Sequence, residues 1–133
     1  MKKVITSFET RQDFLNLLPS NPGLIIIKFG APWCKPCQKI AHVVDAFFAT
    51  SPETVICGDI NIDESFDLYA FMKKTGRVNG IPVILMYKQG NITHIPDDSV
   101  SGTDPKELDG FFKRCGNVLA QIESEKSKST ISS

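Results

Sequence analysis

The chain has no excess of charge of either sign and no long apolar run. Its 133 residues include fifteen basic and fifteen acidic side chains, so the formal net charge at neutral pH is zero. A balance of this kind gives no reason to expect a nucleic acid or a membrane surface as a partner. No segment approaches the roughly 20 consecutive apolar residues that a membrane-spanning helix needs.

Two further features are missing. The N-terminal stretch MKKVITSFETRQDFLNLL is basic, but charges return before an apolar run of signal-peptide length accumulates. We therefore expect a soluble, cytoplasmic protein that forms one domain with a sizeable core. The chain also has no glycine-rich nucleotide-binding motif, so we expect no bound cofactor and an external source of electrons for any redox chemistry.

Cysteine is scarce, and its placement is informative. The four cysteines are Cys34, Cys37, Cys57 and Cys115. In a cytoplasmic chain of this size we do not expect them to form a disulfide framework, and such thiols favour redox or metal-binding roles. Two of them lie in the stretch APWCKPCQKI, residues 31–40. They could form a redox pair, half of a metal site, or two inert buried thiols.

The apolar pattern around this stretch predicts an α/β domain. Residues 24–29 form a nearly continuous apolar run, which is typical of a strand covered on both faces. Helical spacing of apolar residues begins at Cys37, so the cysteine pair opens a helix. The other predicted elements are a short strand over 3–6, a helix over 8–18, a strand over 54–62, a helix from Asp63 to Gly76, a hairpin of strands 81–87 and 92–95, and a helix from Pro105 to Ile122.

This order of elements predicts a three-layer α/β fold. Parallel strands joined by crossover helices, followed by an antiparallel hairpin, give a mixed sheet of about five strands flanked by about four helices. Residues 1–122 form the predicted domain. Residues 123–133 are polar and low in complexity, and we expect them to be a disordered tail.

The position of the cysteine pair favours redox chemistry. Residues three apart share one helix face, so the sulfurs of Cys34 and Cys37 can approach disulfide distance. A helix start carries partial positive charge and unpaired N–H groups, which favour thiolate over thiol. Pro36 fits this first turn because N–H groups there have no helical partner. The pair is therefore expected to be more acidic than a free thiol, whose pKa is about 8.5.

The metal interpretation lacks ligands. A structural zinc site needs four ligands, usually in close pairs, whereas Cys57 and Cys115 are single and far apart in the sequence. We expect no metal site. Cys57 falls in a predicted strand and Cys115 on the apolar face of the last helix, so core packing is the expected role of both, with regulatory oxidation as the alternative.

The motifs also carry a family resemblance. Trp33-Cys34-Lys35-Pro36-Cys37 after a hydrophobic strand resembles the Trp-Cys-Gly-Pro-Cys site of the thioredoxin family. Asn61-Ile62-Asp63, Gly80-Ile81-Pro82 and Lys88-Gln89-Gly90 follow in the family's order. The resemblance extends over roughly residues 3–120 and agrees with the α/β fold expected from the apolar pattern.

The resemblance implies a protein disulfide oxidoreductase that reduces client disulfides. Cys34 would attack the client, and the more buried Cys37 would resolve the mixed disulfide. The groove for the client is implied at Trp33, Gly80, Ile81 and Pro82, with Pro82 in the cis form rather than as an ordinary trans proline. The implied partners are disulfide-bearing proteins and an electron donor such as a thioredoxin reductase or a small thiol, acting on a monomer.

The site differs from the family pattern in its charges. The family has an aspartate six residues before the first cysteine and a facing lysine on the next strand, whereas this chain has Lys28 and Asp59. An unpaired buried charge is costly, so we expect a compensating pair rather than two independent changes at solvated positions. Lys35 replaces the family's glycine between the cysteines; we expect it in solvent, near enough to the Cys34 sulfur to favour the thiolate.

A second class of function remains open from the sequence. The chain could be a thioredoxin-fold binding module, or a subunit of an assembly, in which the client groove matters and redox activity is dispensable. The intact cysteine pair favours the oxidoreductase, and the missing aspartate favours the binding module.

Overall fold

The structure, a computed structural model, describes the backbone of residues 2–132 and the side chains of residues 2–128. Its elements, in chain order, are β1 (Val4–Ile5), α1 (Arg11–Leu17), a 3₁₀ turn (Leu18–Ser20), β2 (Leu24–Gly30), α2 (Lys35–Thr50), β3 (Val55–Asn61), α3 (Phe66–Lys74), β4 (Val83–Lys88), β5 (Asp98–Ser101) and α4 (Pro105–Ser132).

The five strands form one mixed sheet in the order β1-β3-β2-β4-β5. Strands β1, β3 and β2 are parallel, while β4 runs antiparallel to β2 and β5 antiparallel to β4. Within the described residues, four α-helices accompany this sheet. The predicted fold class is therefore confirmed, including the parallel strands and the antiparallel hairpin.

Strand β2 lies at the centre of the sheet, and all seven of its residues are buried. Its side chains alternate between two apolar layers, as the pleat of a strand requires. Leu24 and Ile26 pack with α2 and α4 residues on one face, and Ile25 and Ile27 pack with α1 and α3 residues on the other. This double coverage explains the continuous apolar run, and the same alternation directs Lys28 to the face covered by α2.

The helix ends follow from local hydrogen bonding. Thr10 and Asp13 form a capping box at α1. Gly76, with φ +80°, follows the end of α3 as predicted, since glycine adopts this conformation without a Cβ penalty. Helix α3 begins at Phe66 and not at Asp63, because Asn61 to Ser65 form a separate turn.

The second strand of the hairpin was placed wrongly by the sequence pattern. The structure has β5 at Asp98–Ser101, whereas residues 92–95 lie in a loop. The Asn91 side chain organises this loop by donating to the Ile95 carbonyl and the Asp97 carboxylate at 2.9 Å each. Hydrogen bonding to side chains thus replaces strand pairing over these residues.

The last helix also differs from the expectation. Helix α4 does not end at Ile122 but continues through Ser132, over most of the predicted disordered tail; Ser133 and Met1 lie outside the described residues. No glycine or proline follows Gly116 to stop the helix. Glu123 accepts a hydrogen bond from Thr54 Oγ1 at 3.0 Å, which holds the extension against the domain. Although α4 has 28 residues, no helix in the described part of the chain is both long and apolar enough to cross a bilayer.

Candidate active site

The cysteine motif forms the junction between β2 and α2. After β2 ends at Gly30, the N–H of Cys34 donates to the Ala31 carbonyl at 3.1 Å and closes a tight turn. Cys34 is then the N-cap of α2, with φ −87° and ψ 106°. Its Sγ accepts the N–H of Cys37 at 3.3 Å. This donor and the positive end of the helix dipole both stabilise negative charge on the Cys34 sulfur.

Cys34 and Cys37 are joined in a disulfide, with their Cα atoms 5.2 Å apart. Cys34 is 6% exposed and Cys37 is 4% exposed. Cys37 is therefore the more buried cysteine, as expected, but the difference is small. Among the residues that the structure describes, no group of three or more histidine, cysteine or acidic side chains is arranged to hold a metal ion. The arrangement is that of a dithiol–disulfide couple.

Trp33 stands on the surface beside this disulfide. Its side chain is 64% exposed. The indole Nε1 donates to Asp63 Oδ2 at 2.8 Å, which ties the active-site turn to the segment that follows β3. The sequence pattern predicts Asp63 only as the start of a helix and gives no sign of this contact, because the two residues are 30 positions apart and no local pattern joins them.

The Gly80-Ile81-Pro82 segment also reaches the cysteines. The Ile81–Pro82 peptide bond is cis, as the family resemblance implies. Ile81 packs against the cluster formed by Ala31 and the two cysteines, and Pro82 is buried. Gly80 is exposed with open space around its Cα. The structure thus brings part of the predicted client groove against the disulfide.

Lys28 and Asp59 face each other across neighbouring strands. The parallel register pairs the two residues, and Lys28 Nζ lies 3.6 Å from Asp59 Oδ1. The Lys28 side chain is 6% exposed and the Asp59 side chain 34% exposed. The expected pair is present, with the lysine inside and the carboxylate reaching the surface.

The Lys28 side chain also runs beside Cys37. A Cβ atom placed on Gly30 would lie 3.3 Å from Cys37 Sγ and 3.6 Å from Lys28 Cε, so both side chains border the same small space. Next to it lies an open cavity of about 240 Å³ whose lining includes Lys28, Asp59 and Cys37. The two charged groups therefore share a solvent-accessible cavity with the second cysteine.

The remaining residues of the motif are on the surface. Lys35 and Pro36 occupy the first turn of α2 and are exposed, as expected. A positive charge on Lys35 lies next in sequence to Cys34 and acts in the same direction as the helix dipole.

The two outlying cysteines are free thiols in the core. Burial raises the pKa of Cys57, although a hydrogen-bonding contact at 3.4 Å with the Ser51 hydroxyl opposes this shift. Burial raises the pKa of Cys115 to about 12. Both thiols therefore stay protonated at neutral pH, which makes them poor nucleophiles.

A sheet of this topology, with a Cys-x-x-Cys disulfide at the start of a helix, defines a thiol–disulfide oxidoreductase. Comparison with known proteins agrees. The family model named Thioredoxin matches residues 5–114. Since this match covers most of the sequence, the chain belongs to the thioredoxin family. Members of this family generally act on disulfide-bearing clients and receive electrons from reductases or thiol donors.

Individual relatives are moderately similar. A thioredoxin of Chlamydia pneumoniae is 33% identical over 91 residues, covering 68% of this chain and 78% of that protein. A chloroplastic M-type thioredoxin of Zea mays is 30% identical over 104 residues, covering 78% of this chain and 56% of that protein. The chain thus spans little more than half of the chloroplast relative.

Solved structures share the fold. The thioredoxin of Fasciola hepatica superposes with a TM-score of 0.64 at 25% identity, covering 83% of this chain and 98% of that one. The thioredoxin of Trichomonas vaginalis gives a TM-score of 0.65 at 22% identity, covering 83% of this chain and 96% of that one.

Proposed function

We propose that the protein reduces disulfides in client proteins by dithiol–disulfide exchange, with Cys34 as the attacking residue and Cys37 as the resolving residue. The observation that carries this assignment is the N-cap position of Cys34. Its sulfur accepts a backbone N–H at the positive end of α2, whereas Cys37 lies one turn into the helix. Thiolate character therefore develops first on Cys34.

In the first step, the Cys34 thiolate attacks one sulfur of the client disulfide. The client S–S bond breaks, and its second sulfur leaves as a thiolate that takes a proton from water. A mixed disulfide between Cys34 and the client results. Trp33 and the segment from Gly80 to Pro82 border the disulfide, and in this proposal they receive the client chain.

In the second step, the Cys37 thiol loses its proton and attacks Cys34 Sγ. The mixed disulfide breaks, the reduced client leaves as a thiolate, and the Cys34–Cys37 disulfide forms. The ammonium group of Lys28 cannot accept the proton. Asp59 borders the cavity that Cys37 also lines, so we assign it as the acceptor through water. A thioredoxin reductase or a small thiol then returns two electrons to the disulfide.

The proposal includes a monomer in the cytoplasm. Two free thiols in the core, Cys57 and Cys115, are compatible with a reducing compartment. The balanced charge of the chain gives no electrostatic preference for a nucleic acid or membrane surface.

The test is a pair of serine variants. Cys37→Ser should accumulate a mixed disulfide between Cys34 and a model client, visible on a non-reducing gel and lost on adding dithiothreitol. Cys34→Ser should neither trap the client nor reduce it. A Cys115→Ala variant, which changes a cysteine outside the site, should reduce the client normally. Trapping by Cys34→Ser, with none by Cys37→Ser, would reverse the assigned order of attack.

The binding-module alternative is favoured by one observation, the lysine at position 28 where the family has a carboxylate. A variant with both Cys34 and Cys37 replaced by serine separates the two functions. The oxidoreductase loses its activity in this variant, whereas a binding module still performs its role in an assembly.

A further inference from the structure

Two aromatic side chains of the described part of the chain are exposed to water. They are Trp33, 64% exposed, and Phe66, 72% exposed. The catalytic proposal uses Trp33 but gives Phe66 no role. Large rings are normally buried, and apolar side chains that gather on a surface mark sites of interaction.

The chain places Phe66 close to the segment that contacts the disulfide. The N–H groups of Glu64 and Ser65 donate to the Asn61 carbonyl at 3.0 and 3.1 Å, which gives the segment after β3 a helical turn. Ser65, with φ −129° and ψ 44°, separates this turn from α3, and Phe66 is the first residue of the helix. Ile62 packs against the two cysteines of the disulfide. Only three residues therefore separate Phe66 from a side chain that contacts the disulfide cysteines.

Phe66 is held outward by the residues on either side of it. The preceding Ser65 is fully buried, and its hydroxyl accepts the N–H of Phe8 at 2.8 Å. The following Asp67 accepts the backbone N–H of Arg11 at 2.7 Å and also pairs with the Arg11 guanidinium. With both neighbours anchored, the first turn of α3 cannot rotate to bury the ring.

The other exposed aromatic residue is tied to the same segment. Trp33 Nε1 donates to Asp63 Oδ2 at 2.8 Å, and Asp63 lies three residues before Phe66. Trp33 and Ile62 therefore both adjoin the segment that leads directly into Phe66.

We propose that Phe66 is a specificity-determining residue, which contacts a large apolar side chain of the client a few residues from the attacked cysteine. The occupant is a disulfide-bearing client segment, because Phe66 directly follows the residues that contact the disulfide and Trp33, beside which Cys34 reacts. This inference rests on the proposed reductase function. It adds a substrate preference to that function. Clients with leucine, methionine or phenylalanine near the disulfide are reduced more efficiently than clients with polar residues at the same positions.

The experiment uses two peptides, each with one intramolecular disulfide, that differ only in carrying leucine or serine at the flanking positions. Phe66→Ala should raise KM for the leucine peptide roughly five- to tenfold, since truncating a central aromatic contact has effects of this size. The kcat for the leucine peptide should be unchanged. The KM and kcat for the serine peptide and for a small aromatic disulfide should also be unchanged. Phe66→Leu, which keeps an apolar side chain, should recover most of the loss.

Ile92→Ala is the matched control. Ile92 is 66% exposed but follows β4 at the end of the sheet away from Pro82, about 20 Å along the strand. The Ile92→Ala variant should leave KM and kcat unchanged for both peptides. Equal KM values for the two peptides with the unmodified protein, or an equal loss with Ile92→Ala, would overturn the inference.

A binding measurement separates this inference from the reductase function. Trp33 is the only tryptophan, so its fluorescence reports binding of a leucine peptide whose cysteines are replaced by serine. Phe66-dependent binding without reduction of any disulfide would support the contact and refute the reductase. Reduction of both peptides with equal efficiency would support the reductase and refute the contact. If Phe66→Ala instead dissociated a dimer and left peptide binding unchanged, Phe66 would contact a second copy and the inference would be wrong.

Discussion

Removal of the Asp59 carboxylate would leave the Lys28 ammonium buried without its partner. The nitrogen lies 3.6 Å from the Asp59 oxygen, and the lysine side chain is only 6% exposed. Coulomb's law gives about 4–5 kcal/mol for two unit charges at this separation in an effective dielectric constant of about 20. Because a third of Asp59 reaches water, solvent screens part of this attraction. We expect Asp59→Ala to lower the free energy of unfolding by about 2–3 kcal/mol, somewhat less than the loss of a partner from a fully buried pair.

The converse variant should behave differently. Lys28→Met places an apolar side chain of similar length in an apolar strand and leaves Asp59 free to be solvated. Its cost should stay within about 1 kcal/mol, since buried pairs replaced by apolar groups are often close to neutral. Lys28→Asp should be the most harmful single change, because it sets two carboxylates opposite each other in register.

The assay is a double-mutant cycle measured by urea unfolding of the oxidised protein. Combining Lys28→Asp with Asp59→Lys should recover most of the stability that the singles lose, with a coupling energy of at least about 1.5 kcal/mol. The matched control is the exposed Asp109–Lys113 pair on α4, whose exchange should show much weaker coupling. A double variant no better than the sum of its singles would show that Lys28 and Asp59 do not act as a pair.

The same variants should change the reduction potential. Thiolate charge exists only in the reduced protein, so a nearby cation stabilises that form and raises the potential. With Lys28 and Lys35 both near the cysteines, we expect a value about 20–50 mV above the roughly −270 mV of thioredoxin. The exchanged double variant should have a lower potential than the unmodified protein. Glutathione or dithiothreitol redox titration measures both values.

Three other results are expected. Replacing Cys57 and Cys115 with alanine should lower stability by about 1 kcal/mol each and leave turnover nearly unchanged; a large loss of turnover in the folded variant would make one of them a redox participant. Lys35→Gly should lower the reduction potential relative to the unmodified protein, and an unchanged potential would show that its charge is fully screened. The Arg114 guanidinium lowers the pKa of Asp98, so their pair stabilises the fold above about pH 4 and this contribution is lost as the pH falls through the folded-state pKa. The difference in unfolding free energy between Arg114→Gln and the unmodified protein should therefore shrink from pH 7 to pH 2, and a constant difference would point to lost packing instead.

Strong local patterns made most of the fold predictable. The apolar run of β2, the helical spacing of α2 and the i, i+3 cysteines each carry their signal within a few residues. Strand β5 has no such signal because it lies at the sheet edge and buries only Val100. The exposed Ile92 and Ile95 gave a false strand instead.

The end of α4 was missed for a related reason. Its last residues are polar, and a solvated polar helix has nearly the same composition as a disordered segment. What distinguishes them is a set of contacts with distant residues, such as Glu123 with Thr54. The site divides in the same way. The Cys34–Cys37 pair could be predicted from its spacing together with its position between a strand and a helix, whereas the Trp33–Asp63 hydrogen bond depends on the fold.

The missing side chain at Gly30 leaves room beside Cys37. A Cβ atom at position 30 would lie 3.3 Å from Cys37 Sγ and 3.6 Å from Lys28 Cε, so even a methyl group would press on the sulfur. Glycine therefore keeps space for the Cys37 sulfur to shift when the disulfide opens, next to the cavity that Cys37 also lines. A larger residue at position 30 would displace the sulfur before any bond changed, so the end of β2 shapes the site through a side chain that it lacks.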